Sequence, residues 1–108
     1  MDRGTMLIAR SGPVVGCVRL DEVETRQVVV DDLVVKQEKR GQGLGTQLLQ
    51  AAMNNKGGTL YLRCTASETK FFGRLGFTEV RSDDLPEAIR NYMNENADAP
   101  GDTYLKAR

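Results

Sequence analysis

Val34-Val35-Lys36-Gln37-Glu38-Lys39-Arg40-Gly41-Gln42-Gly43-Leu44-Gly45-Thr46-Gln47-Leu48-Leu49 carries the pattern from which the rest of this chain is read. A β-branched run ends in a charged turn, glycines alternate at 41, 43 and 45, and an amphipathic pattern begins with Leu44, Leu48 and Ala52 on one helical face. Glycine removes the Cβ where backbone bends sharply or comes close to a ligand. The helix that follows has unpaired N–H groups and a positive dipole end at its start, a ready seat for phosphate oxygens. Arg40 adds a charged fork beside them. The stretch therefore reads as strand, anion-cradling loop and helix start, arranged for a polyphosphate.

One familiar phosphate loop fails on it and another fits only weakly. A P-loop needs Lys-Ser/Thr after its last glycine, and Gly45 is followed by Thr46-Gln47. A dinucleotide fingerprint beginning at Gly41 needs Gly or Ala where Thr46 stands. Arg40-Gly41-Gln42-Gly43-Leu44-Gly45 instead resembles the Arg/Gln-x-x-Gly-x-Gly/Ala signature of the GNAT acetyltransferases, with Leu33-Val34-Val35 similar to the strand ending before it. A second stretch, Lys70-Phe71-Phe72-Gly73-Arg74-Leu75-Gly76-Phe77, is similar to that family's aromatic-Tyr-x-x-Leu-Gly-Phe close of the next helix. The two stretches stand in the family's order, with a helix, a Gly-Gly break and a strand between them.

The whole chain sets bounds. With 108 residues it reads as one domain, 1–108, able to bury roughly two thirds of its unfolded surface. Fifteen basic and fifteen acidic residues cancel, so no overall field draws nucleic acid or an anionic membrane to it, and neither is expected as a partner. The basic group Lys36, Lys39 and Arg40 is local to the phosphate loop. No long apolar run follows the first residues, and a cytoplasmic protein is expected. Cys17 and Cys64 lie in strand-like contexts without Cys-x-x-Cys spacing and histidine is absent, so neither a metal site nor His-based nucleophilic catalysis is expected. Both cysteines read as small core residues.

In chain order, 6–10 and 14–20 are β-prone runs about a turn at Ser11-Gly12-Pro13, and Asp21-Glu22-Val23-Glu24-Thr25 reads as a polar connection. Residues 26–35 form a long strand, 44–54 a helix ending at Gly57-Gly58, and 59–64 a strand parallel to it. Residues 67–75 read as a helix with Gly76 as its left-handed exit, 77–81 as a strand, and a last helix starts at Asp84-Leu85-Pro86-Glu87. A loop over 96–102 precedes a closing strand at 103–107. Phe71, Phe72 and Phe77 read first as core aromatics.

The resemblance implies a fold. It is α/β in the α+β sense, a mixed sheet of GNAT type lacking the usual first strand and first two helices, with a central parallel strand pair splayed around acyl-CoA. A bulge near Asp31-Asp32 would open that splay. Pantetheine would lie along Leu33, Val34 and Val35, and the pyrophosphate would meet Arg40, Gly41, Gln42, Gly43, Leu44, Gly45 and Thr46. Thr65, Phe71, Phe72 and Arg74 complete the implied cofactor contacts. Without the N-terminal wall, the acceptor side is expected to be open or completed by a second subunit, hence a homodimer.

The implied reaction is acetyl transfer from acetyl-CoA, the co-substrate, to a primary amine by direct attack on the thioester. An ammonium with a pKa of about 10 must lose a proton, so a base is required. Asp31 or Asp32 is chosen, because both lie on the strand that presents the thioester and alternate faces. Glu24 and Glu68 rank behind them. The resemblance assigns the oxyanion donor to the Val35 backbone N–H. Where many members carry an acidic tyrosine, Phe72 has no proton to give, and Tyr104, Tyr61 or solvent would replace it. Phe77-Thr78-Glu79-Val80 with Asp84-Leu85-Pro86-Glu87 resembles the end of amino-acid N-acetyltransferases of the acetylglutamate-synthase type, so an amino acid or another small-molecule amine leads as acceptor. A non-catalytic acyl-CoA-binding module and a protein or peptide N-acetyltransferase are the alternatives.

Overall fold

The run Val28-Val29-Val30 has no polar position to turn toward water, so a strand built from it needs cover on both faces. The computed structural model, which describes residues 4–10, 14–36, 41, 43–55, 57–95 and 103–107, supplies that cover. Strands β1 (Gly4–Arg10), β2 (Val14–Glu24) and β3 (Gln27–Val35) form an antiparallel meander. Helix α1 (Leu44–Asn55) then crosses to β4 (Thr59–Cys64), which is parallel to β3. A 3-10 turn, Ala66–Glu68, feeds α2 (Thr69–Gly73) and β5 (Thr78–Val80); a second, Ser82–Asp84, feeds α3 (Glu87–Glu95) and β6 (Thr103–Ala107). Among the described residues the strands run in the order β1-β2-β3-β4-β6-β5. The last strand is thus inserted between β4 and β5, antiparallel to both.

Strand alternation sorts the core into two layers. Val28, Val30, Leu60 and Leu62 pack with Leu48, Leu49 and Ala52 of α1 and with Phe72 of α2. Val29 and Tyr61, one residue out of phase, pack with Leu85 and with Ile89 and Met93 of α3. Helices therefore cover both faces of the central strands, α1 and α2 on one and α3 on the other. Ile89 and Met93, four residues apart, give α3 its single apolar stripe, and Leu85 just before the helix packs in the same layer.

The segment read as a polar connection, 21–25, is mostly strand. β2 continues to Glu24, and the turn is only Thr25-Arg26, with Arg26 at φ 64°. Charge does not end a strand when its charged positions find partners: Leu20 enters the α1 layer, Val23 the α3 layer, and Asp21 between them is buried. The helix expected over 67–75 is divided into the 3-10 turn and α2, with Gly76 left-handed at φ 96°. The expected turn at 11–13 and loop at 96–102 lie outside the described residues.

One irregularity in β3 positions everything that follows. Arg19 pairs with Asp32 but Leu20 with Val30, which leaves Asp31 as an extra residue, a bulge. An extra residue inverts the alternation beyond it. Val28 and Val30 before the bulge and Leu33 and Val35 after it consequently face the same layer, that of α1. The β3–β4 ladder stops just short of the bulge, at Val29 paired with Tyr61, while β4 runs on to Cys64 against β6. A wedge-shaped gap opens between β3 and β4 at their carboxyl ends.

Candidate functional site

On the α1 side of that gap is a cleft of about 610 Å³. Leu33 and Val35 line it from β3, Gly41 and Gly43 from the turn, Leu44, Gly45 and Thr46 from the first turn of α1, and Glu68 and Phe71 from the start of α2. The glycines are there for different reasons. Gly41 and Gly43 adopt φ of 83° and 79° with open space around a would-be Cβ, so they are selected by backbone conformation. At Gly45 a Cβ would stand 3.2 Å from Phe71 Cζ, so this glycine lets α1 and α2 close together.

Backbone polarity converges on the same space. The helical ladder begins with Gln47 N–H donating to the Gly43 carbonyl at 3.0 Å, so the N–H groups of Leu44, Gly45 and Thr46 point out of the helix start. Lys36 N–H donates to the Val15 carbonyl at 2.8 Å, which sets the phase of the β2–β3 ladder. In an antiparallel pair the hydrogen-bonding direction alternates, so the backbone groups of Val34 face β2, while those of Leu33 and Val35 face the side from which β4 has departed. An extended ligand laid in the gap would meet that edge.

The sequence-predicted residues divide between this cleft and its surroundings. Arg40 and Gln42 lie outside the described residues. Val34 turns its side chain to the opposite face, where it is 54% exposed. Phe72 is buried in the α1 layer, edge-on to Phe71 at 5.1 Å and to Phe77 at 6.0 Å, so the pair Phe71 and Phe72 links cleft floor to core. Arg74 is exposed beyond α2. Thr65, at the end of β4, donates from its N–H (3.0 Å) and its hydroxyl (2.9 Å) to Glu68 Oε1, fixing that carboxylate at the cleft. Tyr104 packs on the α3 layer. The Asp32 backbone pairs with Arg19.

Asp31 belongs to a polar cluster on the α3 side of the bulge. Tyr92 of α3 donates its hydroxyl to Asp21 Oδ2 and lies 3.2 Å from Asp31 Oδ2. Arg19 Nε reaches Asp21 Oδ1 at 3.3 Å and Asp31 Oδ2 at 3.9 Å. Burial, then the hydrogen bond to Asp21 and the charges of both carboxylates, push the Tyr92 phenol far above its ordinary range, so it remains a proton donor. Asp21, first of all, also raises the Arg19 guanidinium. Arg19, Asp21 and Tyr92 were not singled out by the sequence reading. The period-two pattern Val18-Arg19-Leu20-Asp21, followed by Val23 with no Gly, Pro or Asn before it, is the signal that the strand goes on.

Among the described residues no three His, Cys, Asp or Glu side chains are grouped to hold a metal ion, and no helix is long and apolar enough to cross a membrane. Residues 2–79 match the family model described as an acetyltransferase (GNAT) domain. No curated protein sequence matches the chain. Among solved structures, the fold is similar to N-acetylglutamate synthase from Neisseria gonorrhoeae complexed with coenzyme A and N-acetyl-glutamate: TM-score 0.79, 22% identity, covering 95% of this chain and 25% of that one. It is similar to a GNAT-family acetyltransferase from Staphylococcus aureus (TM-score 0.76, 18% identity, 98% of this chain and 68% of that one). A GNAT-family acetyltransferase from Elizabethkingia anophelis with acetyl-CoA bound gives TM-score 0.73 at 19% identity, over 98% of this chain and 76% of that one. The chain thus spans a quarter of the synthase it resembles.

Proposed function

Because the chain belongs to the GNAT acetyltransferase family, we propose that it transfers an acetyl group from acetyl-CoA to the primary amine of a small molecule, with an amino acid as the leading class. The observation that carries this reading is the cleft at the bulge, where the Leu33 and Val35 edge, the glycine turn and the open start of α1 meet. Pantetheine lies along the β3 edge and the pyrophosphate takes the N–H groups of the α1 start, assisted by Arg40 and Gln42. The ammonium form of the acceptor gives a proton to Asp31, the nitrogen attacks the thioester carbon, and the Val35 N–H receives the oxyanion. The C–N bond forms, the C–S bond breaks, and CoA thiolate leaves with the second amine proton, so that amide and free thiol are the products.

Calorimetric titration with acetyl-CoA tests the cofactor. The native chain is expected to bind, and Gly43→Asp, which places a carboxylate in the pyrophosphate cradle, is expected not to. Binding by both would remove the proposed site. Amine-dependent release of CoA, measured across free amino acids, other amines and peptides, tests the reaction and its acceptor class. A second reading has one observation in its favour: Phe72 is a buried aromatic with no hydroxyl where the family pattern has tyrosine. In that reading the chain binds acyl-CoA without turnover, and CoA release would not depend on any amine. A homodimer and a cytoplasmic location complete the proposal; the dimer is taken up at the scale of the whole molecule below.

A further inference from the structure

Helix α3 brings a hydroxyl to the bulge from outside the matched family segment, which ends at residue 79. β2 presents Arg19 and Asp21 on the face opposite Val18 and Leu20, and the bulge presents Asp31 to the same side. Tyr92 is one residue before Met93, at the margin of the apolar stripe of α3, so its ring packs on the α3 layer while its hydroxyl reaches over the strands. One phenol proton there serves two carboxylates, Asp21 and Asp31.

We infer that Tyr92 and Asp21 are positioning residues for acetyl transfer: anchored by Asp21, the Tyr92 hydroxyl holds the Asp31 carboxylate in the orientation from which it takes the proton of the acceptor amine. The inference rests on the proposed transferase reaction with Asp31 as its base. Two features favour it over a merely structural network. A buried Asp21 is already held by Arg19 and Tyr92, and a second carboxylate in the same cluster adds desolvation cost and like-charge repulsion. It sits, moreover, at the residue where the β3 ladder is broken and the cleft opens. The cation is also unevenly shared. Arg19 stands closer to Asp21, at 3.3 Å, than to Asp31, at 3.9 Å, so Asp21 takes most of the guanidinium.

The test is a double-mutant cycle in amine-dependent CoA release, read as kcat and KM separately, on Tyr92→Phe, Asp31→Asn and the pair together. Tyr92→Phe is expected to lower kcat by about tenfold or more, a part of the roughly 10²–10⁴-fold that a general base supplies, with acetyl-CoA affinity by calorimetry unchanged. The double variant is expected to be no slower than Asp31→Asn alone, because Tyr92 acts through that carboxylate. Asp21→Asn, which still accepts from Tyr92 but frees Arg19 to pair with Asp31, is expected to lose kcat similarly, and it carries the test if Tyr92→Phe fails to fold. Ile89→Val loosens α3 without touching the cluster and is expected to keep the native kcat. Unchanged kcat in Tyr92→Phe or Asp21→Asn, additive losses in the double variant, or an equal loss in Ile89→Val would each overturn the inference while leaving the transferase reading in place. A native chain that binds acetyl-CoA but releases no CoA with any amine would overturn the reading and the inference with it.

Discussion

At the scale of single residues, the glycine turn and the Tyr92 cluster differ in what the chain discloses about them. Gly43 at φ 79° is a local demand: an L-residue there costs about 1–2 kcal/mol, and only residue type meets it without strain. Gly43→Ala is therefore expected to destabilise by about that amount in chemical denaturation. Gly43→Asp should cost no more, because Asp tolerates the left-handed region better than most residues. Loss of acetyl-CoA binding in Gly43→Asp alongside comparable stability in the two variants would locate the effect in charge, not unfolding. Tyr92 is a different case. Its partners Asp21 and Asp31 are 71 and 61 residues away in sequence, so nothing near it marks it as more than one more residue of an amphipathic helix. Its phenol is held above the ordinary value of 10.0, first by burial. The folded state therefore favours the neutral form, and the stabilisation it gives is whole below pH about 10 and is lost as pH rises toward the folded value. The stability gap between the native chain and Tyr92→Phe is expected to be flat through neutral pH and to narrow above about pH 10. A gap that stays constant in strong alkali would contradict the phenol's place in the cluster.

At the scale of elements, the legible parts are those whose reasons are local. Helix α1 begins at Leu44, as the glycine pattern requires, and β4 and β6 occupy the residues read as strands, because their alternation and flanking turn residues are complete within each segment. Two things resisted. The end of β2 was hidden because Asp21 and Glu22 look like loop residues until the partners of Asp21, Arg19 two residues before it and Tyr92 on a distant helix, are known. The placement of β6 between β4 and β5 is set by pairing between remote segments, which no window of sequence contains. α3 illustrates the consequence for energetics. Its own propensity contributes little, since nine residues make a marginal helix in water, and it persists because Ile89 and Met93 are buried against Val29 and Tyr61. Ile89 is 0% exposed, so Ile89→Ala is expected to cost about 2–5 kcal/mol in denaturant unfolding. A loss below about 1 kcal/mol would mean that α3 is not held by that layer, and would remove the platform that carries Tyr92.

At the scale of the whole molecule, the described residues cover the two faces of the sheet unequally, and this asymmetry supports the proposed homodimer. α1 spans the inner face of β1, β2 and β3, but α3 meets the other face chiefly over the central strands, reaching β2 near Asp21 and Val23. Beyond the bulge that face carries Ile8, Cys17 and Val34 in register across three strands, with Met6 farther along β1; Met6, Ile8 and Val34 are 55%, 48% and 54% exposed. Among the described residues β1 is also an edge strand, with its outer backbone groups directed away from the sheet. An apolar row beside an open edge is self-complementary about a two-fold axis, since a second copy offers the same row and the same edge. A net charge of zero sets no long-range repulsion against it. Sedimentation is therefore expected to give a dimer at micromolar concentration, and Ile8→Lys, which sets a cation in the centre of the row, is expected to give a monomer with acetyl-CoA affinity intact, because Ile8 faces away from the cleft. A native monomer across that concentration range would refute the dimer. A dimer that survives Ile8→Lys would move the interface elsewhere. A monomeric Ile8→Lys that binds acetyl-CoA but no longer turns over would mean that the second copy closes the acceptor side of the gap.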